Sequence, residues 1–308
     1  MMEPIKITVF IPTLNAADLL EELIDRLQKQ RQKVDQIIII DSGSSDGTFE
    51  LGINLGAKAI RITPDNFDHG ATRNLAVKQA KGNILVFMTQ DALPADRETI
   101  ARLIEPLEDE LTVVSYARQV PTVGAPYSEK YLRLANYPSE SLLKNKSKIK
   151  QMGIKTFQNS NVCAAYRRFE FEKLGCFPAP VVCNEDMIFA AKAIFHGYQV
   201  SYCADAAVEH SHNLSIKIFF KRYFDIAASL DHEPRIKILG QTEAKGLDFF
   251  KKQVKYLVDQ NKHHEIPRVI CETAAKYLGY KCGINHNRIP KKIKKYLGLN
   301  RAYWQRVE

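Results

Sequence analysis

Residues 37–40 are four consecutive isoleucines, and they run straight into Asp41. A strand turns successive side chains to opposite faces, so four isoleucines in a row require apolar cover on both sides. A mainly parallel sheet flanked by helices meets that condition. The surrounding residues agree with it. Residues 6–12 (KITVFIP) read as a short β-branched strand, and residues 16–30 follow with Leu19, Leu20, Leu23, Ile24 and Leu27 at helical spacing. The isoleucine strand, residues 34–40, gives way to a loop of small hydrogen-bonding residues, DSGSSDGT, whose last three can cap the next helix. Residues 57–62 supply a third strand, 63–70 a loop and 71–81 a helix that stops at Gly82. Residues 83–94 (NILVFMTQDALP) then begin as another strand covered on both faces and break at Thr89-Gln90-Asp91.

Strand and helix alternate through about the first 110 residues, which predicts a doubly wound α/β sheet. Two of its strands end in aspartate, Asp41 and Asp91. Parallel strands bring their carboxyl ends to one edge, where ligands of open α/β sheets bind. Asp91 is then either a turn cap ahead of Leu93-Pro94 or a ligand for a bound phosphate or its metal. A dinucleotide fold needs G-x-G-x-x-G between the first strand and helix, and here that turn reads Pro12-Thr13-Leu14-Asn15-Ala16. A P-loop is excluded by the same residues. With no glycine-rich cradle, a divalent metal on Asp91 is the economical way to hold a diphosphate.

With 308 residues and 45% hydrophobic content, the chain can bury one substantial core or two smaller ones. The division expected is a catalytic domain over 1–230 and a mostly helical, basic extension over 231–308. In the extension Phe249, Phe250, Val254, Leu257, Val269, Ile270 and Tyr277 mark apolar faces, which are also candidates for a homodimer interface. No signal-peptide pattern opens the chain and no run reaches about 18 apolar residues, so the expected compartment is the cytoplasm. The six cysteines show neither zinc spacing nor the density of a disulfide framework. The net charge is +9, and residues 286–306 carry seven Lys or Arg and no acid. Ile289, Ile293, Tyr296, Leu297, Tyr303 and Trp304 interleave with those charges. That mixture favours docking at the anionic inner face of a membrane over binding nucleic acid.

Taken together, Ile11-Pro12-Thr13-Leu14-Asn15, the DSGSSDGT loop from Asp41 to Thr48, Thr72-Arg73-Asn74 and Thr89-Gln90-Asp91 resemble an inverting family 2 glycosyltransferase of GT-A fold. Downstream, residues 157–168 (FQNSNVCAAYRR), Asn184-Glu185-Asp186 and residues 207–212 (AVEHSH) resemble its bacterial rhamnosyltransferase branch. The resemblance spans about residues 5–230. It implies a Rossmann-like sheet and transfer of L-rhamnose from dTDP-L-rhamnose, or another sugar from a UDP donor, to a lipid-linked glycan in cell-surface polysaccharide synthesis.

The site residues follow from the resemblance one by one. Asp41 accepts the N3 proton of uracil or thymine, while Pro12, Thr13, Asn15, Ser42, Ser44 and Gln90 line the donor. Arg73 and Asn74 reach the ribose or the diphosphate. The metal would be Mg²⁺ or Mn²⁺ on Asp91, completed by His210 or His212. The first acid of the family's Asp-x-Asp is here Thr89. The two histidines, read as residues themselves, are equally ordinary hydrogen-bonding groups. Glu185 and Asp186 are either a helix N-terminal pair favoured by the dipole or, by the resemblance, the base (Asp186) and its neighbour. Asp68-His69-Gly70 is expected at the donor sugar, residues 159–168 at the acceptor and Lys221-Arg222-Tyr223 over the diphosphate. Rival classes are a binding module that keeps the fold and a nucleotidyltransferase. The presence of Asp91, Asp186 and Arg73 argues against the first, and the absence of a glycine-rich first loop argues against the second.

Overall fold

The computed structural model describes residues 4–239 and 243–306. Nine strands form one sheet: β1 (Ile7–Thr13), β2 (Gln36–Asp41), β3 (Lys58–Arg61), β4 (Ile84–Met88), β5 (Leu93–Pro94), β6 (Thr112–Val120), β7 (Leu142–Lys144), β8 (Cys163–Arg167) and β9 (Gln199–Glu209). Their spatial order is β3-β2-β1-β4-β8-β6-β9-β5, with β7 also on β9. The first four are mutually parallel, β8 runs against both β4 and β6, and β6 is parallel to β9.

The isoleucines behave as their pattern demands. Ile38 and Ile40 join Phe10, Leu85 and Phe87 in one core, while Ile37 and Ile39 join Val9, Ile11, Val86 and Met88 in another on the opposite face. Helix Ala17–Gln28 covers the second core with Leu20, Leu23, Ile24 and Leu27. Helix Glu185–Phe195 covers the first with Phe189, Ala190, Ala191 and Ile194. Register pairs Thr13 with Asp41, so the carboxyl ends of β1 and β2 share an edge as expected. Past Met88 the chain turns, Ala92 N–H donating to the Thr89 carbonyl at 3.2 Å, and rejoins the sheet as β5 antiparallel to β9. Helix His69–Val77 begins inside the expected loop. Asp68 caps it, accepting from Gly70 N (3.0 Å) and Ala71 N (2.8 Å), so His69 and Gly70 are its first turn.

Beyond residue 230 the described chain is helical. Helix Ile266–Ile284 lies along helix Ile216–Ser229 at a separation only glycine permits, since a Cβ on Gly279 or Gly283 would sit 2.2 Å from the Phe220 carbonyl oxygen or 2.3 Å from that of Phe224. The basic C-terminal segment is pinned to the same helix. Asp225 accepts from Trp304 Nε1 (2.7 Å) and from the Leu299 and Asn300 amides (2.8 and 3.0 Å). A buried carboxylate needs donors, and the indole N–H supplies one, so Trp304 and Tyr303 face inward. Fewer apolar residues of that stretch are therefore exposed than its sequence indicates. Ile293 and Tyr296 remain 47% and 57% exposed. Leu257 and Val269 are buried, whereas Ile270 and Tyr277 are about half exposed. No helix among the described residues is long and apolar enough to cross a membrane, and all six cysteines are unpaired.

Candidate active site

The loops after β1 and β2 form a hydrogen-bonded ledge. Asp41 is fully buried and accepts from the Ser44 hydroxyl, from the Gly43 and Ser44 amides (3.2 and 3.1 Å) and from Thr13 Oγ1 (3.4 Å). Ser42 Oγ donates to the Thr13 carbonyl at 2.9 Å. Asn15 adopts a positive φ of 49°, which its short polar side chain tolerates; its amide donates to Ser44 Oγ and its Oδ1 accepts from Ser45 N. Gln90 holds both backbone groups of Leu14, at 2.8 and 3.1 Å. Pro12, Thr13, Asn15, Asp41, Ser42, Ser44 and Gln90 thus come together, with Asp41 committed to its own loop.

A second group gathers Asp91, His210 and His212, which arrives just past the end of β9. His210 Nε2 and His212 Nδ1 stand 3.4 and 3.7 Å from Asp91 Oδ2, and one ligand atom from each residue lies within 4.8 Å of the others. Metal–ligand bonds of about 2.1 Å place neighbouring ligand atoms roughly 3–4 Å apart, so the spacing fits a divalent ion. Protonation fits too. Burial pushes the Asp91 carboxyl up, but its surroundings, His210 first and then Thr89 and His212, outweigh this and hold it well below the usual carboxylate range. Burial first, then His210 and Arg222, hold His212 down to about 4, leaving it neutral and able to donate a lone pair.

The third group is an acid pair at the start of helix Glu185–Phe195, with Glu185 buried and Asp186 partly exposed. Asp186 accepts from Asn161 N (2.9 Å) and Met187 N (2.7 Å), and Glu185 accepts from Asn161 Nδ2 (2.9 Å). Burial favours the protonated form of both. For Glu185 that push is overcome by Arg73, 3.2 Å away, with further help from His69 and Asn161. Asp186 feels Arg73 only weakly, and burial together with the Glu185 charge raises it to about 7. One acid stays ionised and its neighbour titrates near neutrality, the arrangement of a general base beside a fixed charge. Asn184, at φ 60°, anchors the pair by donating to Ser229 Oγ at 2.8 Å.

Arg73 and Asn74 are engaged differently from the expected donor contacts. Arg73 is 4% exposed, paired with Glu185 and donating to the His69 carbonyl at 3.0 Å. Asn74 bonds both backbone groups of Phe177, at 2.9 and 3.1 Å. Arg222, in the middle of helix Ile216–Ser229, is exposed, and its charge bears on His69, Tyr137 and His212. Sequence reading missed Gln119, which meets His210, and Arg133 and Glu129, which link Gln119 to the His212 amide; nothing in their neighbours marks them. It placed Asn161 and Tyr166 only within a general acceptor segment, although Tyr166 OH donates to Asn161 Oδ1 (2.7 Å) and so aims Asn161 at both acids.

A ledge at one sheet edge, a carboxylate–imidazole cluster and an acid pair thus lie together on a mixed, mostly parallel sheet of GT-A type. Residues 8–175 match the model of glycosyl transferase family 2. The chain belongs to this family and is a glycosyltransferase. It is 39% identical to O-antigen chain rhamnosyltransferase RfbN of Salmonella typhimurium, over 98% of this chain and 97% of that one. It is 36% identical to O-antigen chain rhamnosyltransferase WbaN of Salmonella anatum, over 98% and 96%. Among solved structures it is similar in fold to mannosyltransferase PcManGT of Pyrobaculum calidifontis, a complex with GDP-Man and Mn²⁺ (TM-score 0.56, 20% identity, 98% and 86% coverage). It is also similar to Staphylococcus aureus TarS residues 1–349 in complex with UDP-GlcNAc (TM-score 0.53, 18% identity, 92% and 91% coverage).

Proposed function

We propose that this enzyme transfers L-rhamnose from dTDP-L-rhamnose, with inversion, to a lipid-linked glycan acceptor in cell-surface polysaccharide synthesis. The observation that carries the reading is the 39% identity to an O-antigen chain rhamnosyltransferase along 98% of the chain. The site supports a mechanism. An acceptor hydroxyl beside Asp186 gives up its proton to that carboxylate as its oxygen attacks the anomeric carbon, and the bond to the leaving diphosphate breaks on the opposite face. Asp91, His210 and His212 would hold a divalent ion, which when bound neutralises charge developing on the diphosphate. Two imidazoles beside one carboxylate suit Mn²⁺ better than Mg²⁺, which prefers an all-oxygen shell. Arg222 is the cation we assign to the diphosphate, because Arg73 is occupied by Glu185.

The test is nucleoside diphosphate release from a panel of dTDP- and UDP-sugars with acceptor present. Turnover confined to dTDP-L-rhamnose is expected, with Arg222→Ala slower by about tenfold or more, the scale of one charge-assisted contact. Turnover of a UDP-sugar alone overturns the rhamnosyl reading.

We place the enzyme on the cytoplasmic face of the membrane. Exposed Lys291 and Lys292 lie beside Ile293, Tyr296 and Leu299, each about half exposed, and a basic patch with apolar residues attracts anionic lipid by about 1 kcal/mol per cation. Removing residues 286–308 would also break the Trp304–Asp225 anchor, so charge reversal is the cleaner probe. Arg288→Glu with Lys292→Glu, at two exposed positions, is expected to release the protein from phosphatidylserine vesicles while its melting temperature holds; unchanged partition sinks the assignment.

A further inference from the structure

Gln119, on β6, is 2% exposed and makes four hydrogen bonds. Its Oε1 faces His210 Nδ1 at 2.9 Å and accepts from Arg133, while its Nε2 donates to Tyr137 OH (2.6 Å) and Ser160 Oγ (2.9 Å). A guanidinium can only donate, so the amide atom turned toward Arg133 must be the oxygen. That oxygen can only accept, so the atom facing it on His210, Nδ1, carries the proton. In a neutral ring the lone pair is then on Nε2, which stands 3.4 Å from Asp91 Oδ2. Asp91 is the competing acceptor for the ring proton, but 3.4 Å is beyond the usual N–H···O range and 2.9 Å is its centre. Two lone-pair-bearing atoms facing each other repel unless a cation joins them.

We infer that Gln119 is a positioning residue that selects the Nδ1–H form of His210 and so presents Nε2 to a divalent ion shared with Asp91. Arg133 fixes the amide's orientation and is itself held by Glu129 Oε1 at 2.6 Å, which also accepts from the His212 backbone N–H at 3.1 Å. One carboxylate therefore steadies both imidazoles. On its other side Gln119 grips Ser160, next to the Asn161 amide that donates to Asp186. The same side chain ties the ion's ligand to the segment that holds the base. A hydrogen bond of this kind to the far nitrogen of a metal-ligating histidine commonly contributes about 10–100-fold to metal affinity.

The inference rests on the metal role proposed above, and two measurements separate them. The first is the ¹⁵N NMR of histidine-labelled wild type without metal, in which His210 is expected as the neutral Nδ1–H tautomer. An Nε2–H ring or a doubly protonated one overturns the role of Gln119. This measurement needs no variant. The second is Mn²⁺ binding, followed by loss of the free-ion EPR signal. Gln119→Met is expected to bind Mn²⁺ about 10–100-fold more weakly and to move the His210 proton to Nε2, toward Asp91. Gln119→Glu keeps the acceptor and lets the Tyr137 and Ser160 hydroxyls donate instead, and should restore the affinity to within a few fold. A folded Gln119→Met with wild-type affinity and tautomer overturns the inference. Wild type that takes up no Mn²⁺, with the Nδ1–H tautomer intact, overturns the metal reading instead.

Discussion

Asp186→Asn is expected to fold, to bind donor normally and to lose about 10²–10⁴-fold in kcat, the usual contribution of a positioned general base. The variant keeps the shape of the side chain and an acceptor for the Asn161 amide, so ground-state binding should change little. The pH profile carries the sharper test. The Asp186 carboxyl is raised to about 7, so it is protonated below that pH and cannot take the acceptor's proton. Wild-type kcat/KM should therefore rise about tenfold per pH unit below 7 and level off above it. Glu185→Gln removes the charge that helps raise Asp186, and the rising limb should move to lower pH. That substitution also leaves buried Arg73 unpaired, a loss of about 3–5 kcal/mol in stability. A profile flat between pH 5 and 8, or an Asp186→Asn enzyme of normal turnover, removes Asp186 as the base.

Asp91→Ala is expected to abolish Mn²⁺ uptake and lower activity by about 10² or more, since it deletes the one carboxylate of a three-ligand group. Exhaustive chelation of the wild type should reach the same floor. The two losses should not add, because they remove the same thing, and chelating Asp91→Ala should change nothing further. Full wild-type activity in chelator, or a mutant that chelation slows again, excludes an ion at this position.

The parts of the molecule that were legible in the sequence are those set by local pattern. Residues 37–40 can only be covered on both faces, and each isoleucine pair does join its own core. Asp41 ends a strand and lies at the expected edge. Asp91, His210 and His212 meet because β5 pairs with the end of β9, a contact between residues more than a hundred apart that the motifs reported only through their order. What stayed hidden was chosen by tertiary packing. Arg73 reads as a free cation at a helix start, but the capping of Asp68 turns it inward against Glu185. Gln119 sits in β6 with ordinary neighbours, and its importance comes from what β9, helix Tyr127–Asn136 and the loop before β8 bring to it. Trp304 reads as a membrane anchor because nothing near it announces Asp225.

That last contact bears on timing. Helix Glu185–Phe195 begins just after Asn184, whose side chain is held by Ser229. Ser229 belongs to a helix covered by Gly279 and Gly283 and clamped at Asp225 by residues 299–304. A polypeptide leaving the ribosome would carry Asp186 well before Ser229, and more than a hundred residues before residues 299–304, which clamp the bracing helix. Assembly of the acid pair is then a late, long-range event, gated by closure of a very large loop. Until that closure, a nascent chain can hold the loops after β1 and β2 already formed while Glu185 and Asp186 still lack their surroundings.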